Sequence, residues 1–170
     1  MRTTMASAVN DEPDPAPGRD RSAADSMFTE FYRAEHAGQV RRAALMLGSH
    51  EEANDVVHEA LAAMYRRWDL IDHPGSYLNR AVLNGCRAAA NHRRADLRVR
   101  KRLRVDQETS REETLLDIIK RLPFNQRAAI VLRFYAQMTE HDIAITLDVP
   151  QGSIGPWINR ALTTMRKELS

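Results

Sequence analysis

The stretch TEHDIAITLDVPQGSIGPWINRALTTMRKEL, residues 139–169, decides the fold of the C-terminal half of the chain. Its first part predicts a short helix that begins after Thr139. A turn follows at Asp148-Val149-Pro150, and a longer helix with an apolar stripe is predicted over 151–168. A short helix, a tight turn and a longer helix form the pattern of a helix-turn-helix, although an ordinary helical hairpin has the same spacing.

The second helix of this pattern could enter the major groove of DNA, where its outward side chains would reach base edges and phosphates. The outward positions that we single out as candidates for DNA contact are Gln151, Ser153, Trp157, Asn159, Arg160 and Arg166.

Two more helices are predicted before this motif. Ser110-Arg111-Glu112-Glu113 has the form of a capping box, and the helix behind it stops at Pro123. The next helix is expected over about 124–136. Together with the helix-turn-helix, these segments predict a small helical domain over residues 112–170.

The N-terminal half predicts a second bundle, over residues 25–94. Its first helix, about 26–47, is closed by Gly48, and Ser49 with Glu52 forms a capping box for the next helix. Pro74 stands at the expected first position of a third helix, which runs to about residue 94. The predicted fold class is therefore all-α, with two separate small bundles, the C-terminal one containing the helix-turn-helix.

Two segments lie outside these bundles. Residues 1–24 contain too little apolar surface to fold and are expected to be a disordered tail. Residues 95–111 are charged and poorly periodic and are expected to be a linker. The net charge of the chain is only +2, but basic residues crowd between 87 and 104, opposed only by Asp96. Such a run is typical of a polyanion partner, while a solvated basic linker is the plain alternative.

The sequence argues against an enzyme. It has no glycine-rich phosphate loop, and its single cysteine, Cys86, can form neither an intramolecular disulfide nor a cysteine pair for a metal. His58-Glu59 resembles half of a metal motif, but no second histidine follows one turn later. We therefore expect no catalytic residues, no metal and no cofactor. No apolar run reaches membrane-spanning length and no signal peptide is visible, so a cytoplasmic location is expected.

The polar residues of the first bundle fall into two groups. Asp55 and Glu59 lie one helical turn apart and could be either a solvated face or an acidic docking site. The third helix carries arginines and asparagines on its polar side, and these suit phosphates and unpaired base edges. Tyr77 and Trp68 could stack on bases, or they could simply be core residues.

Several stretches, in this order and spacing, resemble the extracytoplasmic-function (ECF) sigma factors of bacterial RNA polymerase. They are ANDVVHEAL (53–61), YRRW (65–68), PGSYLNRAVLN (74–84), LPFNQRAAIVLRFY (122–135) and NRAL (159–162). The resemblance covers 27–94 and 112–168, and His73 to Asn84 is similar to an actinobacterial subgroup.

The resemblance implies a transcription initiation factor that binds core RNA polymerase and opens promoter DNA. Domain 25–94 would dock on the clamp helices of the largest polymerase subunit through Asp55, His58 and Glu59. It would also bind the −10 element of the promoter. Domain 112–170 would read the −35 element and touch the polymerase flap, and an anti-sigma factor is an expected partner. The residues implied for the −10 element are Tyr77, Arg80, Asn84, Arg87, Arg93 and Arg94.

Three positions depart from the family pattern. His58 replaces the usual Gln, and Asp148 replaces a Gly in the turn of the helix-turn-helix. Gly155-Pro156-Trp157 replaces a basic and polar triplet. If the recognition helix began near Gln151, Pro156 would kink it. The alternative hypothesis is therefore a sigma-like interaction protein that binds polymerase or a regulator without reading promoters.

Overall fold

The structure is a computed structural model that describes residues 21–101 and 114–169, with only the backbone described at 21, 94 and 96–101. The described chain is helical and contains no strand. The helices are α1 (Arg21–Leu47), α2 (His50–Tyr65), α3 (Pro74–Lys101), α4 (Leu115–Arg121), α5 (Phe124–Ile130), α6 (Glu140–Leu147) and α7 (Ile154–Glu168). None of these helices combines the length and the apolar character needed to cross a membrane.

Helices α1–α3 form the predicted N-terminal bundle, and their ends follow local sequence rules. Gly48 takes a positive φ of 74°, which ends α1. The Ser49 hydroxyl accepts a hydrogen bond from the Glu52 amide at 3.3 Å, as the capping box requires. The Glu52 carboxylate, however, pairs with Arg93 of α3. The second half of the predicted box has thus become a contact between helices.

Two predicted boundaries of this bundle were wrong. Helix α1 begins at Arg21, so residues 21–24 of the expected tail are helical. Just after them, Asp25 accepts a hydrogen bond from the Tyr65 hydroxyl at 2.7 Å. Helix α3 continues to Lys101 and includes 95–101 of the expected linker. No Gly or Pro interrupts the chain between Gly85 and Lys101, so backbone hydrogen bonding propagates although the stretch is charged. The rest of the expected tail, 1–20, lies outside the described residues.

Helices α4–α7 form the predicted C-terminal bundle. The predicted capping box at Ser110 lies in the part of the chain that is not described, and the cap seen at α4 is Thr114, which forms a reciprocal box with Asp117. Helix α5 is followed by a π-helical turn, Val131–Tyr135, where a regular helix was expected. The predicted cap at Thr139 is confirmed, because its hydroxyl accepts from the Asp142 amide at 3.1 Å.

The two bundles are packed against each other, whereas the sequence predicted separate modules. The last carbonyls of a helix have no partner within it, and arginines take up two of those at the end of α1. Arg127 of α5 donates to the Met46 carbonyl at 2.6 Å and so joins the two bundles. Arg93 of α3 donates to the Leu47 carbonyl at 2.6 Å within the N-terminal bundle. Buried side chains of both bundles belong to one continuous apolar core. This contact brings α6 next to α3.

Candidate nucleic-acid interface

Four of the predicted −10 residues share one face of α3. Tyr77, Arg80, Asn84 and Arg87 follow one another at spacings of three or four residues, which places them in one stripe. Arg80 and Asn84 are exposed, while Tyr77 and Arg87 are half-buried. The stripe therefore combines an aromatic ring, an amide and two guanidinium groups along one surface. These groups can stack on a base, bond its edge and hold its phosphates.

The other two predicted −10 residues are placed differently. Arg93 lies on the opposite side of α3, where it bonds the Leu47 carbonyl and pairs with Glu52. It therefore joins α3 to the end of α1 and the start of α2. The backbone of Arg94 belongs to α3, but its side chain is outside the described part of the chain.

A buried amide pair fixes the start of α3 against α1. Gln39 is only 2% exposed, and its amide donates to the Asn79 Oδ1 at 2.8 Å. Asn79 was expected on the polar face of α3, yet it turns toward α1. A buried amide without a partner is costly, so this bond favours one orientation of the two helices. No sequence pattern would have paired these two residues.

A cleft of about 670 Å³ lies beside the stripe. One wall is the loop before α3 and its first turns, including His73, Tyr77 and Arg80. The other wall belongs to α6 and the residues before it, including Met138 and Thr146. The cleft is therefore closed on one side by the C-terminal bundle.

The three residues predicted to bind polymerase form one exposed face of α2. Asp55, His58 and Glu59 lie within a single turn. His58 stacks on His36 of α1, with ring centroids 4.9 Å apart and the two Nε2 atoms at 3.0 Å. Tyr32 also stacks on His36, and its hydroxyl lies 3.3 Å from His58 Nε2. Partial burial, and then the neighbouring His58, lower the pKa of His36 below its ordinary value. Within the described ranges, no three His, Cys, Asp or Glu side chains come close enough together to hold a metal ion.

The recognition helix begins later than the sequence suggested. Gln151–Ser153 form a 3-10 turn, and α7 starts at Ile154. Pro156 is thus the third residue of α7, in the turn whose amides have no partner within the helix. The condition under which Pro156 would kink the helix, a start of the α-helix near Gln151, is therefore not met.

The remaining −35 candidates differ in exposure. Asn159, Arg160 and Arg166 are exposed along α7, as is Gln151 in the turn before it, and Ser153 is half-buried. Trp157 is also half-buried, and its ring packs against the apolar core. Asp148, in the turn of the motif, takes the left-handed conformation at φ 56° and ψ 54°. Asp is one of the few non-glycine residues that enter this region readily.

Comparison with known proteins gives the family. The ECF RNA polymerase sigma factor SigM of Mycobacterium tuberculosis is 30% identical over 162 residues, which cover 88% of this chain and 79% of the relative. The chain belongs to the ECF sigma factor family. The RNA polymerase sigma-E factor of Streptomyces coelicolor is 28% identical over 151 residues, which cover 84% of this chain and 85% of that protein. The family model for sigma-70, region 4, matches residues 112–165 of this ECF sigma factor.

Solved structures share the fold. The sigma factor RpoE of Bartonella quintana, determined in complex with the anti-sigma factor NepR, has a TM-score of 0.69 at 15% identity, over 85% of this chain and 97% of that one. CnrH, determined with the cytosolic domain of CnrY, has a TM-score of 0.65 at 20% identity, over 88% and 93%. The all-α fold class and the predicted function, a sigma factor of transcription initiation, are thereby confirmed.

Sequence reasoning missed three features of this ECF sigma factor. They are the Gln39–Asn79 bond, the stacking of His36 on His58, and the contact of Arg80 with Asp148. Each joins residues more than 20 positions apart. Helical periodicity indicates which face a residue occupies but not which residue it will meet.

Proposed function

We propose that this ECF sigma factor binds core RNA polymerase in the cytoplasm and directs it to promoters, without catalysis of its own. Residues 25–94 would supply polymerase docking and −10 recognition, and residues 112–170 would supply −35 recognition. The end of α3, residues 95–101, and the residues after it would connect the two. The observation that carries the proposal is the stripe of Tyr77, Arg80, Asn84 and Arg87 on α3.

Polymerase docking is assigned to the exposed face of Asp55, His58 and Glu59. Two carboxylates within one turn attract basic side chains of a partner, and their exposure leaves them open to one. His58 contributes a ring that is held in place by stacking on His36. A docked sigma factor holds both of its DNA-reading domains at a high effective concentration near the promoter.

Capture of the −10 element is assigned to the stripe on α3. Unstacking a base costs a few kcal/mol, so the protein must offer compensating contacts. Asn84 is exposed and can bond a base edge, while Arg80 and Arg87 can hold neighbouring phosphates. Tyr77 lies half-buried at the end of the stripe, where one ring face can meet a base. Arg93 and Arg94 would extend the phosphate contacts only if the Arg93 bonds to Leu47 and Glu52 were released.

Reading of the −35 element is assigned to Gln151, Ser153, Trp157, Asn159, Arg160 and Arg166. The exposure of Gln151, Asn159, Arg160 and Arg166 supports this assignment, because exposed side chains of a helix in the major groove can reach base edges and phosphates. The alternative of a sigma-like protein without promoter reading was based on Gly155-Pro156-Trp157 in place of a basic and polar triplet, and the similarity to named sigma factors does not favour it. One neighbour in fold was determined with an anti-sigma factor, so we also propose an anti-sigma partner here.

The test is transcription by purified core polymerase with this chain, on fragments of genomic DNA. Specific transcripts support the proposal. Polymerase binding without transcripts would favour the interaction protein, and duplex binding without polymerase would favour a free-standing helix-turn-helix regulator.

A variant tests the −10 assignment directly. Asn84→Ala should lower open-complex formation by about tenfold through loss of a base contact, with polymerase affinity unchanged. Asn91→Ala is the matched control, since Asn91 is also exposed on α3. Equal loss of polymerase affinity and promoter opening would assign Asn84 a structural role.

A further inference from the structure

We propose that Asn79 is a specificity-determining residue for the −10 element, and that Gln39 of α1 is the positioning residue that sets the direction of its amide group. In that direction Asn79 presents a hydrogen-bond donor to the DNA strand. Such a donor selects a base with a keto oxygen, thymine or guanine, at one −10 position. This inference rests on the proposed function, because it takes the cleft beside the stripe as the place where bases are read.

A carboxylate fixes the direction of the Gln39 amide. Gln39 Nε2 lies 3.5 Å from Glu35 Oε2 and 2.8 Å from Asn79 Oδ1. An ionised carboxylate only accepts hydrogen bonds, so the end of Gln39 that faces Glu35 is its NH2 group. Arg42 pairs with the same Glu35 oxygen at 3.7 Å, which holds the carboxylate in place. Because Gln39 is only 2% exposed, water offers its amide little alternative.

The Gln39 NH2 group in turn sets the direction of the Asn79 amide. Its second hydrogen needs an acceptor, so the Asn79 atom that faces it is the oxygen Oδ1. The nitrogen Nδ2 is bonded to the same carbon and points away from Gln39. Among the described residues no acceptor contacts Nδ2, and this nitrogen is not one of the buried polar atoms that lack a partner. The Asn79 donor is therefore open to a ligand.

Asn79 lies at the edge of the cleft of about 670 Å³, together with Ser76 and Arg80 of α3. Ser76 precedes Asn79 and Arg80 by about one helical turn, so the three side chains form one patch. Asn79 is half-buried, whereas Arg80 is exposed. Arg80 can thus hold the phosphate of a nucleotide while the Asn79 nitrogen donates to a base.

A donor of fixed direction divides the four bases into two classes. Thymine O4 and guanine O6 accept hydrogen bonds, whereas cytosine and adenine carry a donating amino group at the corresponding position. The NH2 group of Asn79 bonds the first class and meets a second donor in the other class. A flipped base is read by hydrogen bonds to this edge. One such bond corresponds to a preference of about three- to tenfold.

Two variants change the donor by different routes. Asn79→Asp keeps the oxygen that accepts from Gln39 but replaces the NH2 group by an acceptor oxygen. It should reverse the preference toward cytosine and adenine, by about three- to tenfold. Gln39→Leu leaves Asn79 unchanged but frees its amide to turn, so the preference should fall to about twofold or less. Asn91→Asp is the matched control, because it makes the same exchange at an exposed position of α3.

The measurement is transcription by the full chain with core polymerase, on a promoter in which each −10 position is varied in turn. Sequencing of the transcripts gives, for each position, the ratio of templates with a keto base to templates with an amino base. A purely structural role would lower transcription from all templates alike. The base ratio at a single position therefore separates a reading role from a structural one.

The parent chain and Asn91→Asp should prefer keto bases at one position, and Asn79→Asp should reverse the preference at that position only. Unchanged ratios in Asn79→Asp, or an equal loss from all templates, would overturn the role of Asn79 and leave the proposed function standing. Unchanged ratios in Gln39→Leu would overturn the positioning role of Gln39. Absence of transcripts with the parent chain would overturn the proposed function, and this inference with it.

Discussion

Gly85 of α3 lies directly against Val56 of α2: a Cβ atom on Gly85 would stand 2.6 Å from Val56 Cγ1. Two carbon atoms that are not bonded to each other do not approach so closely. Two helices of the N-terminal bundle therefore meet where one of them has no side chain. Glycine weakens a helix interior, so packing has to offset that cost here.

Gly85→Ala should lower the free energy of unfolding by about 1–3 kcal/mol, because the added methyl group forces α2 and α3 apart. The measurement is urea unfolding followed by circular dichroism. Gly38→Ala is the control, since no atom lies within 4 Å of a Cβ at that position in α1. The control should be stabilised by about 0.5–1 kcal/mol. If both variants were stabilised, the close approach would be disproved.

His36 makes stability depend on pH in a defined direction. Because its pKa is lowered from the ordinary value of 6.5, the folded chain binds fewer protons than the unfolded chain just below that value. The stabilising contribution is therefore present above pH 6.5 and is lost as pH falls below it. His36→Gln should reduce the drop in melting temperature between pH 7.5 and pH 5.5.

The control for this experiment is His92→Gln, since His92 is exposed on α3. That variant should keep the full pH dependence of the parent chain. An identical pH profile in His36→Gln and the parent would refute the assignment of the effect to the stacked pair.

Reversing the charge of the proposed docking face on α2 should disrupt polymerase binding. Asp55→Arg with Glu59→Arg should reduce co-purification with core polymerase by at least about tenfold, because two attractive contacts become repulsive. The helix should remain intact, since both positions are exposed and Arg favours helix. Glu30→Arg with Asp69→Arg changes the net charge equally at exposed positions elsewhere. Undiminished co-purification of the first pair would remove this face from the proposal.

Pro156 should be nearly neutral for stability despite lying in a helix. Its place as the third residue of α7 means that it removes no backbone hydrogen bond within the helix. Pro156→Ala should thus change the free energy of unfolding by less than about 0.5 kcal/mol. Thr164→Pro, in the interior of α7, should cost about 3 kcal/mol. A large gain in stability from Pro156→Ala would show that the proline strains the recognition helix.

Local chemistry made several features predictable. The caps at Ser49 and Thr139 and the stop at Gly48 depend on neighbouring residues only, and each was found where the sequence predicted it. The extension of α3 to Lys101 was missed because residues 95–101 are charged and lack a regular apolar repeat, which predicted a linker. Helix propensity would have been the better guide, since that stretch lacks Gly and Pro.

The candidate site was predictable as a surface but not as a set of contacts. The sequence indicated that Arg80, Asn84 and Arg87 share one face of a helix, since that depends only on the helical repeat. It could not show that Arg93 turns to Leu47 and Glu52, or that Asp148 meets Arg80.

The sequence by itself determined the seven helical segments in outline, the helix-turn-helix and the family, because these depend on short-range spacing and on motif order. Only the tertiary structure decided that the two domains are in contact and that α6 lies over the arginines of α3. The physical reason is that such contacts join residues some 60 positions apart in the chain. Their partners are selected by the packing of whole helices, which no local pattern encodes.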